Sequence, residues 1–111
     1  MISREREKKM KECCRKYLAE QFGDDEEIMG EIYGEYVQSV KEKIAELKEA
    51  LGAADWQRSD RIAHTIKGNA LAAGDEEVAR LAIEIRKTAA LGDGERSLSL
   101  LAEMEKQCES L

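Results

Sequence analysis

Apolar side chains recur every three or four residues through most of the chain, which is the period of an amphipathic α-helix. The longest such run, over residues 25–51, predicts a helix that packs lengthwise in a bundle. Its apolar positions form one seam: Met29, Tyr33, Tyr36, Val37, Val40, Ile44, Leu47 and Leu51. Four shorter runs predict further helices over residues 3–21, 56–73, 76–91 and 95–110.

Each shorter run also has an apolar stripe that predicts its buried face. In the first run the stripe is Met10, Cys13, Cys14, Tyr17 and Leu18. In the third helix it is Ser59, Ile62, Ala63, Ile66, Ala70 and Ala73. In the fourth it is Val78, Leu81, Ala82, Ile85 and Ala89, and in the fifth Leu98, Leu101, Ala102 and Cys108.

Glycine and aspartate separate the predicted helices. The clusters at 23–25, 52–55, 74–75 and 92–94 each combine a residue suited to a helix end with an Asp suited to cap the next helix. Asp24 and Glu27 have the spacing of a capping box. Because short connections join antiparallel neighbours, we expect an all-α fold. It is an antiparallel four-helix bundle over residues 24–111, with an additional N-terminal helix, residues 1–23, that covers it.

Length and composition exclude several classes of function. A chain of 111 residues has no room for a nucleotide-binding fold beside a catalytic lobe, and 38% charged residues with no proline favour helices. The net charge of −6 argues against nucleic-acid binding. Residues 1–20 hold seven Lys or Arg and four Glu, a net charge of +3. That segment fits either a solvated helix or a basic arm for an acidic partner or membrane surface.

The cysteines limit which disulfide and metal sites the chain can form, and the apolar runs limit the compartments in which it is expected. Cys13, Cys14 and Cys108 are odd in number and lack metal-ligand spacing, so neither a disulfide framework nor a metal site is expected. No apolar run approaches the roughly 20 residues of a membrane span, and the charged start lacks the core of a signal peptide. We expect a cytoplasmic protein with no membrane span.

The only histidine lies on the outward face of the third predicted helix. At about 100° per residue, His64 points about 150° away from the middle of the buried stripe. Lys67 and Gly68 follow on that face at +3 and +4, with Asp60 at −4 and Leu71 at +7. An exposed imidazole has a nitrogen lone pair at neutral pH and can act as a nucleophile. No residue set here suggests a hydrolytic triad, so another molecule must supply the electrophile.

The presence of Gly68 needs an explanation, because a glycine inside a helix lowers helix stability by about 0.5–1 kcal/mol relative to alanine. Gly68 lies six residues before Gly74 and does not end the helix. A side chain at this position, one turn from His64, would crowd whatever approaches the imidazole. Lys67 can reach a negative charge held on the same ring.

The run Ala63-His64-Thr65-Ile66-Lys67-Gly68-Asn69-Ala70, with Gly74 ten residues after the histidine, resembles the signature of histidine-containing phosphotransfer (HPt) domains. Ala50-Leu51, Asp55, Trp56 and Leu91-Gly92-Asp93 resemble the helix junctions of that family. The similarity covers about residue 24 to the end of the chain. Asn69 departs from the serine or small residue that is frequent in the family, and Arg86 stands where an acidic side chain is common.

The resemblance implies that His64 is phosphorylated, that Lys67 balances the phosphoryl charge and that Gly68 gives clearance to the partner. Leu71 and Ala72 on the outer side, with Gln57 and Arg61 nearby, are the docking candidates. The implied partners are receiver domains of response regulators, and a hybrid sensor kinase is left open. The resemblance also implies that the protein needs no cofactor of its own and that the partner supplies the magnesium ion.

The predicted function is therefore that of a phosphorelay intermediate, which accepts a phosphoryl group from a receiver aspartyl phosphate and returns it to the same or another receiver. Without a P-loop or a kinase-like glycine loop, the chain is not expected to be an ATP-dependent kinase. The alternative is a non-catalytic helical adaptor, in which the motif is accidental or the histidine only binds. Partner identity, direction of flow, oligomeric state, the role of residues 1–23 and membership of a larger kinase stay open.

Overall fold

The computed structural model describes residues 10–23 and 25–109, and within these ranges it contains five α-helices and no strand. The helices are α1 (Glu12–Phe22), α2 (Glu26–Gly52), α3 (Trp56–Ala73), α4 (Glu76–Ala90) and α5 (Gly94–Glu109). The predicted all-α fold is confirmed, and the bounds of α2 to α5 differ from the predicted bounds by one residue at most. Position 110, the predicted end of α5, lies outside the described residues.

Helices α2 to α5 form the predicted antiparallel bundle. Each packs against the next in chain order, and α5 packs against α2, which closes the ring. The 27 residues of α2 span about 40 Å at 1.5 Å per residue, which accounts for most of the 44 Å long axis of the molecule. Helix α1 packs against α2 and α3. It therefore lies over one end of the bundle.

The buried faces of α2, α3 and α4 follow the sequence pattern, whereas the buried face of α5 follows it only at Leu101 and Cys108. Every predicted stripe residue of α3 and α4 is buried, and in α2 only Val37 is half-buried. In α5, Leu98 is 40% exposed and Ala102 is also exposed. The buried residues of α5 are Ser97, Leu100, Leu101, Met104 and Cys108.

The hydroxyl of Ser97 explains this rotation of α5. Ser97 is fully buried, and its Oγ lies 2.6 Å from Oγ1 of Thr88 at the end of α4. Because this hydrogen bond satisfies the buried hydroxyl, a polar residue can occupy the inner face of the first turn. Leu100 and Met104 then follow on that face at the helical spacing, and the prediction that Leu98 and Ala102 are buried is wrong.

The three connections between the bundle helices share one construction. Amides of two successive residues bond back to the preceding helix in the Schellman pattern, in the pairs Ala54 and Asp55, Gly74 and Asp75, and Gly92 and Asp93. The first residue of each pair has a positive φ, of 54°, 76° and 68°. The aspartate then caps the next helix by accepting a hydrogen bond from an amide three residues later. One left-handed residue followed by Asp therefore reverses the chain each time.

The start of α2 differs from the predicted capping box. Asp25 caps the helix, because its carboxylate accepts a hydrogen bond from the amide of Ile28 at 3.2 Å. This start leaves Glu26 and Glu27 in the first turn, where the helix dipole favours negative charge. Within the described residues the cap is Asp25, and the predicted capping role of Asp24 lies outside them.

The start of α1 also differs, because a buried ion pair holds the chain in an extended form before the helix. Lys11 precedes α1, and its Nζ lies 3.0 Å from both carboxylate oxygens of the fully buried Asp75. The hydroxyl of Tyr36 donates to the same carboxylate at 2.7 Å. Helix α1 therefore begins at Glu12, so the predicted helical state of residues 10 and 11 is wrong, and residues 3–9 lie outside the described residues.

Candidate functional site

Helix α3 is fixed along its whole length, which gives the side chains on its outer face defined positions. Asp55 caps its start by accepting from the amide of Arg58 at 3.1 Å. Its end is closed by Gly74 in the left-handed conformation, whose amide bonds to the carbonyls of Ala70 and Leu71. The buried stripe packs between α2 and α4. The opposite face of α3 is thus held rigidly towards solvent.

His64 lies on that outer face, where the helical phase predicts it, and its side chain is exposed. Nη1 of Arg86, on α4, lies 3.1 Å from Nδ1 of His64. Nε of the same guanidinium donates to Oδ1 of Asp60 at 2.9 Å. The imidazole therefore stands beside an arginine that an aspartate, one turn earlier on α3, holds in place.

Lys67 is half-buried and lies one turn after His64 on α3. Within residues 10–23 and 25–109, it makes no hydrogen bond or ion pair. Among the residues that the structure describes, no neighbouring carboxylate therefore neutralises its charge. An ammonium group on a flexible stem in this position can turn towards a negative charge held on the imidazole.

Gly68 is exposed, and its surroundings are open. A Cβ added at this position would meet no atom within 4 Å, and φ is not positive. No special backbone angle therefore requires a glycine at this position. The surface beside His64 is consequently free of side-chain bulk at position 68.

The four predicted docking residues lie on the face that carries His64. Gln57, Arg61, Leu71 and Ala72 are all exposed, and each falls within about 80° of His64 around the helix axis. Leu71 is 52% exposed, which is high for a leucine on a packed helix. Together with His64 and Gly68, they lie in one strip along the outer side of α3. Their role in docking stays a prediction.

A shallow depression lies beside this strip, where α3 meets α2. Nδ2 of Asn69 donates to Oγ of Ser39 at 3.0 Å, which ties the two helices together. The depression has a volume of about 270 Å³ and is lined by Ile32, Glu35, Tyr36, Ser39, Asn69, Ala72 and Ala73. Of the docking candidates, Ala72 lines it, whereas Gln57, Arg61 and Leu71 do not. The departure at position 69 thus serves a contact between helices.

The contacts of Arg86 with His64 and with Asp60 were not predicted from the sequence. Asp60 could be placed on the outer face of α3 from its spacing to His64, and Arg86 was noted as a departure in charge. To predict their contacts, one must know the register of α4 against α3. The position of either residue in the sequence does not reveal that register. The one signal for this contact in the sequence was the position of Arg86 on α4, where it directly follows the buried Ile85.

The described residues contain no arrangement suited to a metal or a membrane. Over residues 10–23 and 25–109, no group of three or more His, Cys, Asp or Glu side chains could hold a metal ion. In the same ranges no helix has the length and apolar character needed to cross a bilayer. Cys13, Cys14 and Cys108 are free thiols.

Comparison with known proteins gives one match. The family model described as the Hpt domain matches residues 31–111, which cover most of α2 and all of α3 to α5. The matched segment includes His64 and all of the outer face described above. No curated protein and no solved structure matches the chain significantly.

Proposed function

The chain belongs to the Hpt domain family, and on that premise we propose that it is a phosphorelay intermediate in which His64 carries the phosphoryl group. The observation that carries the proposal is the placement of the only histidine. It is exposed on a rigid helix, and within one turn lie the open surface at Gly68 and Lys67, which pairs with no other residue that the structure describes. A histidine with a purely structural role would be expected to lie among packed or buried groups.

The proposed reaction is one in-line transfer between two side chains. A nitrogen lone pair of neutral His64 attacks the phosphorus of an aspartyl phosphate on the partner. The N–P bond forms as the P–O bond to the aspartate breaks, and the aspartate leaves as a carboxylate. The other ring nitrogen carries the imidazole proton throughout. Return of the phosphoryl group to a receiver is the reverse of this step.

Lys67 and the rigid helix are the contributions of this chain to that step. The phosphoryl group brings negative charge to a position one turn from the ammonium of Lys67, which stabilises that charge electrostatically. Because α3 is packed and capped, the imidazole is already positioned before the partner arrives, and little entropy is lost in orienting it.

The partner supplies the remaining groups. We expect a response-regulator receiver domain, alone or within a hybrid sensor kinase, to provide the aspartate. Its magnesium ion would neutralise charge on the phosphoryl oxygens. The strip formed by Gln57, Arg61, Leu71 and Ala72 would meet the receiver around its active site. Receivers and their kinases signal inside the cell, which supports a cytoplasmic site of action.

The test is transfer of a radiolabelled phosphoryl group from a phosphorylated receiver domain. Label should appear on this protein and should be acid-labile and base-stable, as a phosphoramidate is. The rival adaptor function predicts binding of the receiver without transfer of label. Base-labile label would indicate an acyl phosphate and would contradict phosphorylation of the histidine.

A further inference from the structure

The hydrogen bond between Arg86 and His64 determines which ring nitrogen carries the proton. A guanidinium group has only donors, so Nδ1 of His64 must be the acceptor in the 3.1 Å contact with Nη1. The lone pair of Nδ1 therefore points at Arg86. In a neutral imidazole with an unprotonated Nδ1, the single proton resides on Nε2.

This state is not nucleophilic at either nitrogen. The lone pair of Nδ1 is occupied by the guanidinium, and the in-plane electron pair of Nε2 is used in the N–H bond. We propose that Arg86 is a positioning residue that holds His64 in this resting state, and that its release must precede phosphoryl acceptance. The proposal rests on the proposed function of His64.

Asp60 makes Arg86 an effective restraint on the ring. Its Oδ1 accepts from Nε of Arg86 at 2.9 Å, while Nη1 of the same planar group reaches His64. The planar guanidinium group of Arg86 thus bridges Asp60 and His64, which lie one turn apart on α3. Arg86 is only 35% exposed, so water competes incompletely for these hydrogen bonds.

Release of Arg86 is required whichever nitrogen attacks. If Nδ1 attacks, the guanidinium must first move away from the lone pair of Nδ1. If Nε2 attacks, its proton must first pass to solvent while Nδ1 takes a proton from solvent, and a protonated Nδ1 cannot accept from Arg86. The ring keeps one proton in either case. A receiver that draws Arg86 away on docking would therefore activate His64 only within the complex.

The ring nitrogens of His64 give a direct test, because the chain contains one histidine. Nitrogen NMR of the full-length protein labelled at histidine, at a pH where the ring is neutral, should show an unprotonated Nδ1 and a protonated Nε2. Arg86→Ala should shift the signals towards a mixture of both tautomers, and Asp60→Asn should shift them part of the way. Arg80→Ala is the matched control, because Arg80 is also on α4 but pairs with Glu77.

The rate of phosphoryl acceptance is measured with the same variants. Arg86→Ala should accept phosphoryl groups from a labelled receiver about three- to tenfold faster than the parent, the scale of one partly exposed charged hydrogen bond. Arg80→Ala should match the parent. Ring signals unchanged by Arg86→Ala, or slower acceptance in that variant, would overturn the assignment. If no variant accepts a phosphoryl group, the proposed function fails, whereas the NMR comparison still decides whether Arg86 sets the tautomer.

Discussion

At the scale of single residues, Gly68 is a helical glycine that the backbone does not require. Its φ is not positive and a Cβ would meet nothing within 4 Å, so Gly68→Ala should stabilise the fold by up to about 1 kcal/mol. Gly68→Gln should also fold, but its side chain would stand one turn above His64 in the path of the receiver. We expect this variant to melt no lower than the parent and to accept phosphoryl groups much more slowly.

A second glycine provides the control for this prediction. Gly30 on α2 also has open surroundings. The register that joins Ser39 to Asn69 sets Gly30 about 20 Å along the bundle axis from the level of His64. Gly30→Gln should therefore gain similar stability and transfer at the parental rate. Parental transfer in Gly68→Gln would show that this glycine gives no clearance.

Ala54 is the opposite case. It adopts a backbone conformation that favours glycine, although alanine lacks the conformational freedom of glycine. It has φ of 54° at the turn between α2 and α3, where the corresponding turns use Gly74 and Gly92. A left-handed residue with a Cβ costs about 1 kcal/mol, and glycine removes most of that strain. Ala54→Gly should raise the urea midpoint by an amount equivalent to about 0.5–1 kcal/mol. A lower midpoint would mean that Ala54 is not strained.

At the scale of elements, one buried ion pair ties the start of α1 to the bundle. Asp75 is 0% exposed, and Lys11 supplies its cationic partner with a side chain that is 13% exposed. Lys11→Met would leave a buried carboxylate with only the hydroxyl of Tyr36 and the amide of Val78 as donors. We expect a loss of about 3 kcal/mol in the free energy of unfolding, measured by urea denaturation.

An exposed lysine provides the comparison for that variant. Lys43 pairs with Glu46 on α2 at 3.4 Å, and both side chains are about one-third exposed or more. Lys43→Met makes the same chemical change at the surface and should cost less than about 0.5 kcal/mol. Equal losses in the two variants would mean that Lys11 contributes no more than a surface charge does.

The sequence predicted the elements better than the contacts between them. The period of apolar residues was sufficient for α2, α3 and α4, because each of these helices buries one continuous stripe. It was only partly correct in α5, where the buried hydroxyl of Ser97 has its hydrogen-bond partner on another helix. It failed before α1, where Lys11 bonds to a carboxylate 64 residues away. Polar groups that are satisfied across elements leave no local pattern.

The same distinction holds for the candidate site. The outward direction of His64 followed from helical phase, since it depends on α3 alone. The neighbouring positions of Lys67 and Gly68 followed in the same way. The bond from Arg86 depends on the register of α4 against α3, and that register is set by packing along both helices. The part of the site that lies on one helix was predictable, and the part that spans two was not.

At the scale of the whole molecule, a group of neutral thiols and phenols makes the fold sensitive to high pH. Burial raises the pKa of Cys108 from 9.0 to about 11 and that of Tyr33 from 10.0 to about 12. Burial and the nearby carboxylate of Asp75 raise the pKa of Cys14 and of Tyr36 further. Each group favours its protonated form in the folded state, whereas the unfolded chain ionises near pH 9–10.

The free energy of unfolding should therefore be fully present below about pH 9 and should fall as the pH rises towards 12. Urea denaturation at closely spaced pH values measures the slope. Cys108→Ala should be less stable at pH 7 because it leaves a small cavity, but its stability should decline less steeply between pH 9 and 11. A parental profile that is flat over this range would contradict the burial of these groups.

The central claim, that His64 carries the phosphoryl group, is tested most directly by the intact mass of the protein after incubation with a phosphorylated receiver domain. The parent should gain the mass of one phosphoryl group, and His64→Gln should gain none. The variant should melt within a few degrees of the parent, because His64 is exposed and surface substitutions cost about 0.5 kcal/mol or less. A full phosphoryl mass gain in His64→Gln would show that another residue carries the phosphoryl group.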